Sequence, residues 1–171
     1  MPAFDFDRMP DDARVWVFAA SRDLSPDESA ALLRHVDGFL AHWHAHGAPV
    51  AGARELRHGR FLLVAADERA TGVSGCSIDS LTRALKDAEA ELGLSLREAA
   101  SLVFYRGADG AVRGVPRPEF RRLAQSGEVG EDTVVFDNTA ASVGDVRAGR
   151  WERPLRESWH ARAFPVGAPA A

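Results

Sequence analysis

Two stretches decide the fold: RVWVFAA, Arg14 to Ala20, and RFLLVAAD, Arg60 to Asp67. A strand sends alternate side chains to opposite faces. In the first stretch Val15 and Val17 alternate with Trp16 and Phe18, so both faces are apolar and both need a cover. The second stretch holds the apolar run Phe61 to Ala66, as long as Val15 to Ala20 in the first. His58-Gly59 supplies a turn before it, which lets the more weakly apolar Ala51 to Arg57 run back against it as a strand.

The segments around these strands read as helices and hairpins. Ser25, Pro26 and Glu28 form a capping box with proline at the first helical position. Leu32, Leu33, Val36, Phe39, Leu40 and Trp43 make one apolar stripe, and Gly47 is the predicted left-handed cap, with Pro49 just beyond. After the loop Glu68 to Gly75, the stripe Ile78, Leu81, Leu85, Ala88 and Leu92 predicts a second helix over 78–92, stopped by Gly93. Strands are predicted at Leu102 to Arg106 and Val112 to Val115, joined by Ala108-Asp109-Gly110. The order β-α-β-β-α-β is the ferredoxin-like one, so the expectation is an α+β core over residues 1–116, two helices on one face of an antiparallel sheet. Residues 117–171 are expected to form a small β-α-β-like extension integrated with that core. It comprises a short helix from Pro118 to Gly127, a strand at Asp132 to Phe136, a helical turn at Val143 to Ala148 and a wrapping segment anchored by Trp151, Leu155, Trp159 and Phe164.

At 171 residues and 46% apolar content the chain can build one packed core, and its net charge of -4 argues against a broad nucleic-acid surface. Lys86 is the only lysine. The acidic start MPAFDFDRMPDD lacks the apolar core of a secretory leader, and no run approaches the ~20 apolar residues of a membrane span. Cys76 is the only cysteine, which excludes an intrachain disulfide. A cytoplasmic protein without membrane association is therefore expected.

The chemistry concentrates in SGCSIDS, Ser74 to Ser80, between the strongest strand and the second helix. Gly72 and Gly75 permit tight turns, and Ser74, Ser77 and Asp79 suit a helix start. Free backbone N–H groups at such a start bind anions and stabilise a thiolate. Three readings follow. Ser77 is an N-cap and Cys76 a small buried residue. Alternatively, Ser74, Gly75, Cys76, Ser77, Asp79 and Ser80 cradle an anionic ligand. In the third, Cys76 is a nucleophile with Asp79 on the next turn and His160, or else His58, as a distant base. A binding or regulatory protein is the leading reading and a cysteine-dependent enzyme the alternative. A small anion, a protein partner or a second copy of the chain is the expected partner, and no cofactor or metal is indicated.

Other clusters are weaker. His42 and His46 are four apart, half of a zinc geometry with no carboxylate or thiol beside it, and a solvated helix end explains them as well. Arg113, Arg117, Arg121 and Arg122 offer an acidic partner a face but also read as a solvated helix. Walker, dinucleotide, hydrolase-elbow and zincin motifs are all missing.

VWVFAASRDLSPDE, RFLLVAADE, GVSGCSIDSL, TVVFDNT and ESWHARAF together resemble a family of small uncharacterised bacterial proteins, some of which carry the label "ABC transporter ATPase". The label implies a phosphate-binding loop and an LSGGQ-type signature that this chain lacks. The resemblance implies one integrated domain and directs attention to the Cys76 loop and to Trp159-His160. Residues Val103 to Thr139 are similar in pattern to GYF-like modules: an aromatic strand, a turn, Gly114-Val115-Pro116 in place of Gly-Pro, a short helix and a strand. That similarity implies a protein-interaction role.

Overall fold

The computed structural model describes residues 4–69, 71–73, 75–96 and 101–167. Every residue from Phe61 to Ala66 is buried. The cause is position: β5 (Phe61–Asp67) is the middle strand of an antiparallel sheet, between β1 (Arg14–Ala19) and β4 (Ala51–Arg57). On one face Leu62, Val64 and Ala66 pack against Leu32, Val36, Leu81 and Leu85 of α1 (Pro26–Leu40) and α2 (Gly75–Leu92). On the other, Val15, Phe61, Leu63 and Ala65 meet Phe104, Phe136 and Trp151. Those three belong to or flank a second antiparallel sheet, ordered β7 (Val112–Pro116), β6 (Leu102–Arg106), β8 (Val134–Phe136) and β9 (Glu152–Pro154). Its far face, Val103, Tyr105 and Val135, packs on α3 (Arg117–Ser126) and on Leu155 and Phe164. The layers thus run helices, sheet, sheet, helix.

The mixed α and β content with antiparallel sheets is as expected. The single ferredoxin-like sheet is not what the strands form. The first three strands take the neighbours of a split β-α-β unit, but β6, the expected fourth, starts the second sheet. The physical reason lies in the strands themselves. Helices on one face would leave Val15, Val17, Phe61 and Leu63 in water, and a second sheet buries them at roughly 25 cal/mol per Å². The open edge of β1 is taken instead by the chain near Ser142: Val15 N–H donates to the Ala141 carbonyl at 2.9 Å and Val143 N–H to the Ala13 carbonyl at 2.9 Å. The second sheet also draws strands from both sides of residue 116.

The capping box forms as read. Ser25 Oγ accepts from the Glu28 N–H at 3.1 Å, and the Glu28 carboxylate accepts from the Ser25 N–H at 2.9 Å. Arg22 donates to the same carboxylate, and that bond, joined by the one from Ser25, lowers the Glu28 pKa to about 2. The end of α1 departs from expectation. The helix stops at Leu40, and β2 (His44–Ala45) and β3 (Ala48–Pro49) form a small hairpin. His46 and Gly47 sit at φ 52° and 78°, so Gly47 serves a two-residue hairpin turn rather than a helix cap. Helix α2 begins at Gly75, three residues earlier than the stripe predicted, and stops at Gly93 as expected.

Beyond residue 126 the short helix α4 (Val143–Arg147) carries a Ser142 cap. The expected irregular wrap resolves into β9, a 3-10 turn at Leu155–Glu157 and α5 (His160–Ala163). Among the described residues, no helix is long and apolar enough to cross a membrane.

Candidate functional site

Residues 75–80 of SGCSIDS lie in the first turns of α2, and Ser77 alone of them is buried. Ser74 lies outside the described residues. Ser77 is buried rather than capping: its hydroxyl donates to the His44 carbonyl at 3.3 Å, and its own carbonyl accepts the Trp43 indole N–H at 3.2 Å. These two bonds pin α2 to the β2 hairpin. Ser80 Oγ donates back to the Cys76 carbonyl at 2.9 Å. Cys76, Asp79 and Gly75 are exposed, so Cys76 is not the small core residue of the first reading.

The structure does not bring the distant bases to Cys76. His160 is 2% exposed and packs with Phe120 and Phe164 on the far face of the second sheet. Two sheets, packing about 10 Å apart, stand between it and α2. Its Nδ1 and the Ser158 hydroxyl are 2.6 Å apart and its ring stacks on Trp159 at 3.9 Å. Burial is the main cause of a pKa lowered to about 4. Asp137 opposes that shift, and Arg117 and Arg153 reinforce it. His58 lies at the other end of β5 from α2, about seven residues at ~3.3 Å each. There it pairs with Glu152 at 3.1 Å, and Glu152 also accepts from Arg106, so the three bridge the sheets. The Glu152 carboxyl, despite burial that works to raise its pKa, is held below its ordinary value by Arg106 and His58.

A concavity with an apolar interior lies elsewhere. Strands β6 and β8 share one register pair, Tyr105 with Val135, and then diverge. Past Phe136 the chain stays with β9, the Asp137 N–H donating to the Trp151 carbonyl at 2.6 Å. The divergence leaves a slot of about 390 Å³ between Leu102-Val103 and Phe136, with the end of β1 (Val17 to Ala19) as its floor. That volume lies in the range of small-ligand sites, roughly 300–1,000 Å³. Its polar rim is Arg117, Asn138, Thr139 and Trp159. The Arg117 guanidinium lies 5.6 Å from the Trp159 ring centroid. Trp159 Nε1 is buried and has no hydrogen-bond acceptor among the described residues. Behind the rim, Asp137 is 2% exposed, bonded to Thr139 and paired with Arg153 at 2.7 Å. Burial works to raise its pKa, and those hydrogen bonds outweigh it, so the carboxyl sits below its ordinary value.

No family model, curated protein or solved structure matches this chain.

Three stretches quoted for the bacterial resemblance line the slot: the end of β1, Phe136 to Thr139, and Trp159. The sequence singled out Trp159 as an anchor and His160 as a distant base, and the resemblance pointed to the same segment. The histidine cluster is used locally: His42 Nδ1 donates to the Gly38 carbonyl at 3.1 Å and His44 Nδ1 to that of His42 at 2.7 Å. Among the described residues no group of three metal-ligating side chains occurs. The arginine face divides: Arg113 pairs with Asp109 and Arg122 with Glu119, whereas Arg117 and Arg121 lie over the Trp159 and Phe164 rings. Sequence reasoning missed Arg60. Its buried guanidinium donates to the Ala20 carbonyl and to that of Val112, tying the first sheet to β7. The only signal was an arginine opening a wholly apolar strand.

Proposed function

We propose that the protein is a non-enzymatic binding protein that holds one small ligand in the slot between β6 and β8. One observation carries the reading: a 390 Å³ slot walled by apolar side chains of both sheets, whose buried Trp159 indole N–H lacks an acceptor. Buried donors are normally satisfied, and an orphan beside a cavity gains an acceptor when a small shift of the ring lets an entering group reach it. The anion cradle read at Ser74 to Ser80 receives less support, because Ser77 is spent on His44 and Trp43. The cysteine-enzyme reading loses its base with His160 in another layer. A cytoplasmic location suits the exposed free thiol of Cys76, which persists reduced in a reducing compartment.

Native mass spectrometry of protein isolated from its own host tests the reading. The expected result is one small molecule per chain above the 18.5 kDa protein mass, lost in a folded Leu102→Trp variant that fills the slot. An adduct that survives in that variant, or no adduct at all, overturns it.

A further inference from the structure

Resting on that reading of the slot, we infer that its ligand is an amphipathic monoanion, with a carboxylate-type head at Trp159 and Arg117 and an apolar tail between the sheets. The head follows from charges left unbalanced in an acidic chain. Beside the slot, and sharing Thr139 and Trp159 with it, lies an open hollow of about 460 Å³ that Arg153, Arg156 and Arg162 line. Arg153 is paired with Asp137, and Arg156 with Asp132 and Glu157. Arg117 and Arg162 have no carboxylate within ion-pair reach among the described residues. A second buried donor, Arg153 Nε, also has no acceptor there.

Arg117 on the slot and Arg162 on the adjoining hollow thus carry guanidinium charges without a carboxylate, with the orphan N–H donors of Trp159 and Arg153 in the linings of the same two concavities. Donors without acceptors select an acceptor-only head, and cations select a charged one. A cationic head would meet Arg117. A hydroxyl head would satisfy the indole and leave both guanidinium charges unbalanced. The tail follows from Val17, Phe18, Leu102 and Phe136, which give it no hydrogen-bonding partner. His160 beside Trp159 reports the same field, since Arg117 and Arg153 both help to keep its ring neutral.

Calorimetric titration with octanoate, 1-octanol and acetate tests the assignment on the full chain. The expected result is one octanoate per chain, bound at least about tenfold more tightly than octanol, with acetate weaker still. Arg117→Gln, at an exposed position, brings octanoate down to the octanol level and leaves octanol unchanged. Trp159→Phe keeps the ring, removes the donor and weakens octanoate about three- to tenfold. Octanol binding as tightly as octanoate overturns the anionic head while the slot stands as a site. Acetate binding as tightly as octanoate overturns the apolar tail. Failure of all three to bind overturns both the inference and the slot.

Discussion

Two tryptophans set the two ends of this molecule against each other. Trp43, beside the first turn of α2, is 2% exposed and its indole N–H is taken by the Ser77 carbonyl. Trp159, at the rim of the slot, has a buried N–H that nothing among the described residues accepts. The residue types point the other way. SGCSIDS offers a thiol, hydroxyls and a carboxylate, whereas the slot draws on scattered apolar residues with few polar ones. The difference teaches that chemical potential lies in which buried groups folding leaves uncommitted, and that a key residue of a dense motif, Ser77, can be taken up by packing.

The largest effect expected from this contrast belongs to pH at the Trp159 end. The folded chain holds His160 neutral, with a pKa lowered from 6.5 to about 4, so the unfolded chain binds the proton first. Stability is then flat above pH 6.5 and falls as pH drops toward 4, by up to about 1.4 kcal/mol per pH unit. The Glu152 and Asp137 carboxyls, held below their ordinary values of 4.5 and 3.8, add further loss as pH falls past those values. Urea melts from pH 8 to pH 4 measure the slope. A His160→Gln variant should lack the part between 6.5 and 4.

Next in size is Trp43→Phe. It keeps most of the apolar volume but removes the indole donor that ties this end of the chain to the Ser77 carbonyl, at a cost of about 0.5–1.5 kcal/mol in a denaturant melt. Its partner experiment, Trp159→Phe, removes a donor that has no acceptor and should move unfolding stability by less than about 0.5 kcal/mol. Equal costs for the two substitutions would break the comparison. Smallest is Cys76→Ser: at an exposed position it should change stability by under about 0.5 kcal/mol. Ellman's reagent should titrate one thiol per native chain, and a thiol silent until denaturation would refute its exposure.

Much of the fold was legible where local rules suffice. Ser25, Pro26 and Glu28 started α1 as read, Gly93 ended α2, and the β4–β5 turn at His58-Gly59 formed. Trp43 was misassigned to the helical stripe because its spacing fits a 3.6-residue period, while the turn at His46-Gly47 answered to hairpin pairing further along the chain. Of the candidate site, Cys76 was correctly placed at a helix start, but the commitment of Ser77 to His44, 33 residues away, left no local trace.

What the sequence determined by itself was the longer helices and strands and the requirement that β1 and β5 be covered on both faces, since both are set by caps and by periodicity within a few residues. The tertiary structure alone decided what the second cover would be. Sending β6 into a new sheet depends on pairings between residues far apart, as does its divergence from β8 after a single shared pair. The slot exists because of that divergence, and so the candidate site belongs to the packing of the two sheets rather than to any run of residues.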